Sequence, residues 1–391
     1  MQMDLTWYSS LRADNFPAGA YEQLRQRLPG STPFNHLGWL QAAEAALPAD
    51  QQLQVLVGHH QGQLCLCLPL IRGCERFGPL TVQVVRHLGY PMSDRIALLA
   101  DLPAGVAKHV LREIRRHLPH ALLQLNEVVD ELAPRTLLGA WARRSSTHEQ
   151  RLSCQVPVHR IVEQDRQEIS GDPRYKLRRA RKRIAACGAQ VRRVVPDAST
   201  IHSLLDAVAE VEELSWKGDD EVGIFCGPSR RQWMYQAFTA LAAQGLVRMV
   251  LLELNGRCLS YRLGVFERGR IYDYNLAFVP AYADLGSGRV LLEEWIHWGL
   301  DDGWEWVDAS RVSLENSSHQ LHERMSGLCQ QHRLSYYSWR PSGIALGLAL
   351  RLWQRFKPQL QRLRRQKPTT AVVVPLAKQE NRDALTGHSQ R

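Results

Sequence analysis

Tyr272-Asp273-Tyr274-Asn275-Leu276-Ala277-Phe278 runs, after Val279-Pro280-Ala281-Tyr282, into Ala283-Asp284-Leu285-Gly286-Ser287-Gly288-Arg289. The first segment reads as a strand, whose period of two places Tyr272 and Tyr274 on one face and Asp273 on the other. The second is a Gly-x-Gly turn that opens a helix expected over 289–300. A helix start leaves backbone N–H groups without intrahelical acceptors, and together with the helix dipole they favour a phosphate. Arg289, the first residue of that helix, is a cation placed to pair with a pyrophosphate. Upstream, strands 247–254 and 257–266 flank an Asn255-Gly256 hairpin turn, and a turn at Gly269 leads into strand 270–278. Downstream lies a strand over 305–309.

Working outward, the second half opens with a strand over 152–161 and a basic helix, Arg174 to Ile184, that Cys187-Gly188 ends. Helices 199–215 and 230–244 precede the meander. The first half repeats the order of hairpin, strand, helix and strand. Its helix at 37–47 is followed by strands 52–58, 63–71 and 81–88, an apolar segment at 95–99, a helix over 104–118 and a strand over 121–128. Two domains are therefore expected, 1–155 and 156–340, by duplication of one α/β plan. Residues 341–391 form a third segment, an amphipathic helix with a basic polar face that Pro358 is expected to kink or split, and a loose tail beyond Pro368.

At 391 residues, 45% hydrophobic and 23% charged, the composition is that of a globular protein with room for two cores. No apolar run reaches the roughly 18 to 20 residues of a membrane span, and residues 1–6 lack the order of a signal peptide, so a cytoplasmic location is expected. The eight cysteines carry no C-x-x-C pair, which argues for reduced thiols. His117 with His120, and His319 with His322, stand at i, i+3 spacing, yet no acidic or thiol partner accompanies them and no metal is expected. The net charge of +10 points to an anionic partner, concentrated at Arg174–Arg183 and Arg351–Lys367.

The strand, glycine loop and helix resemble motif A of the Gcn5-related N-acetyltransferase (GNAT) superfamily. In that family a Gln/Arg-x-x-Gly-x-Gly/Ala loop and the following helix hold the pyrophosphate of acetyl-CoA. Gly286 and Gly288 match the two small positions, and Ala283 stands at the Gln/Arg position. Over residues 30–340 the chain resembles the CelD/BcsL-type acetyltransferases, which are duplicated proteins found with exopolysaccharide genes and related to the FemAB peptidyltransferases. Pro33-Phe34-Asn35, Trp39-Leu40, Val57-Gly58, Gly62, Leu68-Pro69-Leu70, Leu88-Gly89 and Asp94 carry the likeness in the first half. Lys176–Arg183, Leu214, Trp216, Phe225 and Tyr272–Gly288 carry it in the second. The Tyr-Lys pair that usually follows the strand ending at Asp308 is replaced by Ser310-Arg311-Val312-Ser313 and later His322-Glu323-Arg324.

The resemblance implies two tandem GNAT-like (acyl-CoA N-acyltransferase) mixed-sheet domains, with the donor in the second and the first shaping the acceptor site. Acetyl-CoA is the expected co-substrate, held by Leu285, Gly286, Ser287, Gly288 and Arg289. Acyl transfer needs a base for the attacking amine or hydroxyl and an acid for the leaving thiolate. Asp308 or Asp273 is the expected base, Tyr274 the expected acid, and Glu212, Trp216 and Tyr272 the expected acceptor wall. The expected acceptor is a sugar of an exopolysaccharide or its precursor. Alternatives are a FemAB-like aminoacyl-tRNA-dependent peptidyltransferase and a catalytically silent scaffold in polysaccharide synthesis. The basic helix reads as a solvated face, an anion-binding element or a tRNA handle, and nucleic acid is not the expected partner. Residues 343–367 read as a docking helix or a peripheral anchor at the inner face of the membrane.

Overall fold

One order of elements is used twice. The computed structural model describes residues 3–103, 105–129, 135–310 and 324–365. In the first half, β1 (Asp4–Tyr8), α1 (Ala18–Arg27) and α2 (Leu37–Ala45) precede a meander of β2 (Gln52–His60), β3 (Gln63–Phe77) and β4 (Leu80–His87). The short β5 (Leu99–Ala100), α3 (Ala107–His117), β6 (Leu122–Val129), α4 (Arg135–Arg144) and β7 (His148–Arg160) follow. After α5 (Asp172–Ala186), the second half runs β8 (Gln190–Val194), α6 (Ile201–Leu214), α7 (Trp216–Asp219) and α8 (Gly227–Ala242). Its meander is β9 (Val247–Leu254), β10 (Arg257–Glu267) and β11 (Arg270–Phe278), followed by α9 (Ser287–Asp302), β12 (Trp306–Asp308), β13 (Gly327–Tyr337) and α10 (Pro341–Arg365).

All the strands join one mixed sheet in the order β1-β2-β3-β4-β6-β13-β7-β12-β11-β10-β9-β8, with β5 beside β3. The order is a palindrome. In each half the third strand of the meander gains a parallel neighbour, β6 beside β4 and β12 beside β11. The last strands are then exchanged: β7 pairs with β12, β13 with β6, and β7 and β13 with each other, all antiparallel. Residue 155, the expected division, lies inside β7. Even the first hairpin repeats, since Gln61-Gly62 and Asn255-Gly256 both take positive φ at each central residue (52° and 77°, 51° and 77°). That primed turn matches the twist of the strands it joins.

On one face of the sheet a single core draws on both halves. Trp39 of α2 packs on Trp233 and Phe238 of α8, with ring centroids 6.2 and 6.0 Å apart, and Phe34 lies against Tyr272 and Tyr274 of β11. The opposite face carries two cores. One gathers Val110, Leu111 and Ile114 of α3 with Trp141 of α4. The other gathers Leu177 and Ala180 of α5 with Leu291 and Trp295 of α9. The halves are thus held by exchanged strands and by one buried aromatic layer, whose separation would expose some of the largest apolar surfaces in the chain.

One local reading is corrected: α10 is not split at Pro358 but continues as helix to Arg365, while β1, α1, α4 and β13 are elements with no sequence expectation. Met1–Gly347 form one compact unit and Leu348–Arg391 a second. Among the described residues no helix is long and apolar enough to cross a membrane. The tail beyond Pro368, and His319 and His322, lie outside the described residues.

Candidate active site

The parallel pair β11 and β12 is short. Register runs from Arg270 opposite Trp306 to Tyr272 opposite Asp308 and stops there. Among the described residues, β11 has only β10 as a ladder partner from Asp273 to Phe278, and a wedge opens in the sheet. A bulge in that ladder, Gly264 opposite Asp273 but Leu263 opposite Asn275, turns Tyr274 and Asn275 toward the same face.

One wall of the wedge is the start of α9. A 3-10 turn over Pro280–Leu285 ends at Gly286, whose φ of 66° is left-handed, and no side chain caps the helix that follows. A Cβ on Gly286 would sit 3.3 Å from the Cβ of Ala180 on α5, whereas a Cβ on Gly288 would meet nothing within 4 Å. The first turn of α9 is therefore open to approach at Gly288 and roofed by α5 at Gly286. Leu285 is buried in the core shared by α5 and α9. The Ser287 hydroxyl is tied to that of Ser260 at 2.9 Å, and Ser260 donates to the Ala277 carbonyl at 3.1 Å. What this turn offers a ligand is its backbone amides. Arg183 of α5 donates to the Asp284 carbonyl and steadies the loop.

Beneath the turn, Arg262 of β10 donates to the Gly288 carbonyl at 2.9 Å and forms a buried ion pair with Asp273. Trp295 Nε1 donates to the other Asp273 oxygen at 3.1 Å. Burial pushes the Asp273 carboxyl up, against the pull of Arg262. Strand β10, strand β11 and helix α9 are braced at this point.

The other wall is the end of α6. Glu212 is buried, accepting from the Phe225 amide at 3.0 Å and from Asn275 Nδ2 at 2.9 Å. Asn275 Nδ2 also donates to the Tyr261 hydroxyl at 3.0 Å, and its carbonyl oxygen accepts from Lys217 Nζ. Lys217 lies 3.6 Å from Glu212, with Asp94 and Asp273 also in its field, and burial pulls its ammonium pKa below the ordinary value. A Cβ on Gly223 would fall 2.6 Å from Glu212 Oε2, so the loop over residues 223–225 wraps this carboxylate as only glycine allows. A cavity of about 380 Å³ opens here, lined by Glu212, Lys217, Phe225, Cys226 and Arg231 among others. Trp216, which precedes Lys217 in the chain, is 54% exposed.

Asp308 is wholly buried, accepting from Arg95 of the first half at 2.6 Å, from Arg270 at 3.2 Å and from the Ser310 amide at 2.8 Å. As the partner of Tyr272 in the ladder it shares that residue's face, so Asp273 and Asp308 point to opposite faces of the sheet. Tyr272 lines a second cavity of about 420 Å³ with Thr32, Arg95 and Arg270. The Tyr274 hydroxyl donates to the Met92 carbonyl at 2.9 Å, and its ring is packed among Phe34, Trp39 and Phe238. Arg262 thus ties Asp273 to the 286–289 turn on one face of β11, Glu212 joins Lys217 and Asn275 on the other, and Asp308 and Tyr274 are bonded to the first half through Arg95 and Met92.

Lys217, Asn275, Arg262 and Ser260 belong to this candidate site by their contacts and were passed over in the sequence. Arg262 alone had a clear signal, an arginine inside the apolar strand pattern of 257–266. His117 bonds Gln54 at 2.9 Å and stacks on Trp7, and His120 bonds the Leu118 carbonyl at 2.6 Å. Among the described residues no group of three or more His, Cys, Asp or Glu is placed to hold a metal.

Residues 171–316 match the family described as acetyltransferase (GNAT) domain. The match spans the roof helix α5, the α6 wall, the meander, α9 and β12. Among solved structures the chain is similar to FemX, at 11% identity and a TM-score of 0.55, over 86% of this chain and 97% of that one. A conserved protein of unknown function from Bacteroides thetaiotaomicron VPI-5482 gives 9% identity and 0.52, over 86% and 100%. The C-terminal domain of a putative lysylphosphatidylglycerol synthetase from Agrobacterium fabrum gives 10% and 0.50, over 84% and 93%. At these identities the likeness is one of fold, and it covers both halves of the sheet. A search of curated proteins finds no match. The α/β plan is thus a GNAT-like one, used in tandem within one large mixed sheet.

Proposed function

We propose that the chain is an acyltransferase that moves an acyl group from an acyl-coenzyme A, acetyl-CoA in the simplest case, to an amine or hydroxyl. The observation that carries this reading is the uncapped first turn of α9, open at Gly288, across the wedge from the buried Lys217–Glu212–Asn275 cluster. Amides at 287–289 bind the pyrophosphate, the pantetheine arm follows β11 into the wedge, and the acceptor enters through the Lys217 cavity. A lysine whose burial lowers its pKa can act as a base. As the acceptor attacks the thioester carbon, Lys217 takes its proton, the C–S bond breaks, and the thiolate leaves. Glu212 and Asn275 hold the amine at the wedge.

The acceptor assigned here, a sugar of an exopolysaccharide or its precursor, rests on the resemblance of residues 30–340 to the CelD/BcsL-type proteins. The tRNA-dependent alternative is less well supported by the basic helix: Arg174, Arg178 and Arg181 of α5 surround Glu168, Lys176 pairs with Asp172, and Arg183 braces the loop. Thermal shift with acetyl-CoA, against tRNA and buffer, tests the proposal. Stabilisation by the coenzyme alone is expected, and Gly288→Trp, which the open space at that Cβ accommodates, should abolish it. A wild type that ignores acetyl-CoA refutes the donor. Undiminished binding by Gly288→Trp moves the site elsewhere.

A further inference from the structure

Helix α10 carries an unspent amphipathic pattern in its second unit, from Leu348 onward. Leu348, Leu352, Trp353 and Phe356 are 51%, 55%, 56% and 47% exposed, and every residue from Arg351 to Lys357 is exposed. At about 100° per residue these four apolar side chains fall within an arc of about 140°. Arg351 and Arg355 run along one border of that arc and Lys357 along the other. From Pro341 to Lys367 the sequence has seven Lys or Arg and no Asp or Glu.

We infer that α10 lies on an anionic lipid surface. An apolar stripe about a third of the helix wide needs a non-aqueous neighbour, and the basic side chains along both its borders favour one that carries negative charge at the same depth. A bilayer with acidic headgroups supplies both in one plane, with Trp353 and Phe356 at the acyl boundary. A second copy of the helix would bring the same cations against these, so self-association fits the pattern poorly. The helix lies on the surface rather than crossing it, since none of the described helices is apolar enough to span. The inference is independent of acyl transfer, because it uses no residue of the wedge.

Flotation of the full chain tests it, with vesicles of phosphatidylcholine alone and vesicles carrying about a third phosphatidylglycerol. Wild type should float with the anionic vesicles, at least about tenfold more than with the neutral ones, and be released at high salt. Leu352→Glu/Phe356→Glu, at positions exposed in the fold, should lose at least about tenfold in bound fraction, with circular dichroism and acetyl-CoA response unchanged. Arg351→Glu/Arg355→Glu should lose the preference for anionic vesicles. Equal flotation by wild type and Leu352→Glu/Phe356→Glu overturns the proposal. So does absence of wild-type flotation, and so does a stripe whose substitution only converts a dimer to a monomer.

Discussion

Asp273 invites two accounts, a general base or a strut, and its contacts favour the strut. Its two oxygens are engaged by Arg262 and by Trp295 Nε1, all three groups buried, and Arg262 in turn holds the carbonyl of Gly288. Asp273→Ala strands a guanidinium and an indole N–H inside the sheet–helix interface. Breaking a buried pair from one side costs about 3–5 kcal/mol, and the orphaned indole donor adds about 1 kcal/mol or more. The expected loss is therefore about 4–6 kcal/mol in unfolding free energy, a large part of the roughly 5–15 kcal/mol by which ordinary domains are stable. Replacing both partners by apolar residues of similar volume, Arg262→Met/Asp273→Leu, should recover most of that loss, since the desolvation of both charges disappears with them. Urea unfolding followed by tryptophan fluorescence reads both numbers, with the slope checked for a changed unfolded state. The strut is refuted if Asp273→Ala stays within about 0.5 kcal/mol of wild type, above all if activity is lost at the same time.

Two further outcomes follow from buried titratable groups. Lys217→Met should lower kcat by about 10² or more with little change in acetyl-CoA binding, and wild-type kcat/KM should rise with pH through an apparent pKa below the ordinary lysine value of 10.5. An unaltered pH profile in Lys217→Met removes the base from this position. His87, buried at the end of β4, has its pKa pulled by desolvation from 6.5 down to about 4. The fold thus favours the neutral ring: its contribution is fully present above pH 6.5 and is lost as pH falls toward 4. At 1.36 kcal/mol per unit, wild type should lose about 3 kcal/mol more than His87→Gln across that window, and parallel pH–stability curves would exclude the linkage.

What the sequence revealed follows how each element meets its surroundings. The meander 247–278 was legible because its strands are apolar runs bounded by Asn255-Gly256 and Gly269, and the turns fixed the register. The glycine loop was legible because backbone chemistry needs no particular side chain. Strand β13 was not, because Gln331, His332 and Ser335 are polar yet buried in the middle of the sheet, satisfied by long-range partners such as Ser153 and Gln124 that no local pattern shows. Lys217 was hidden in the same way: its chemistry comes from Glu212 and Asn275, five residues before it on α6 and far along the chain on β11. Asp308 and Asp273 stand within reach of one another in the ladder, and only the pleat reveals that they face apart.

Duplication with exchanged strands also explains why one wedge is open and its twin is filled. In the first half β4 leaves β6 after Arg86 opposite Gln124, where β11 leaves β12 in the second. There the chain folds back, and Ile96 bridges to Val128, so residues 88–96 occupy the gap. The filling segment is not idle. Arg95 reaches across to Asp308, Asp94 accepts from the Ser310 hydroxyl at 2.8 Å, and the Met92 carbonyl accepts from Tyr274. That segment fixes the second half's wedge from the inter-half side. These ties join the two halves at the buried edge of the wedge, and buried polar contacts of this kind hold neighbouring side chains in one geometry.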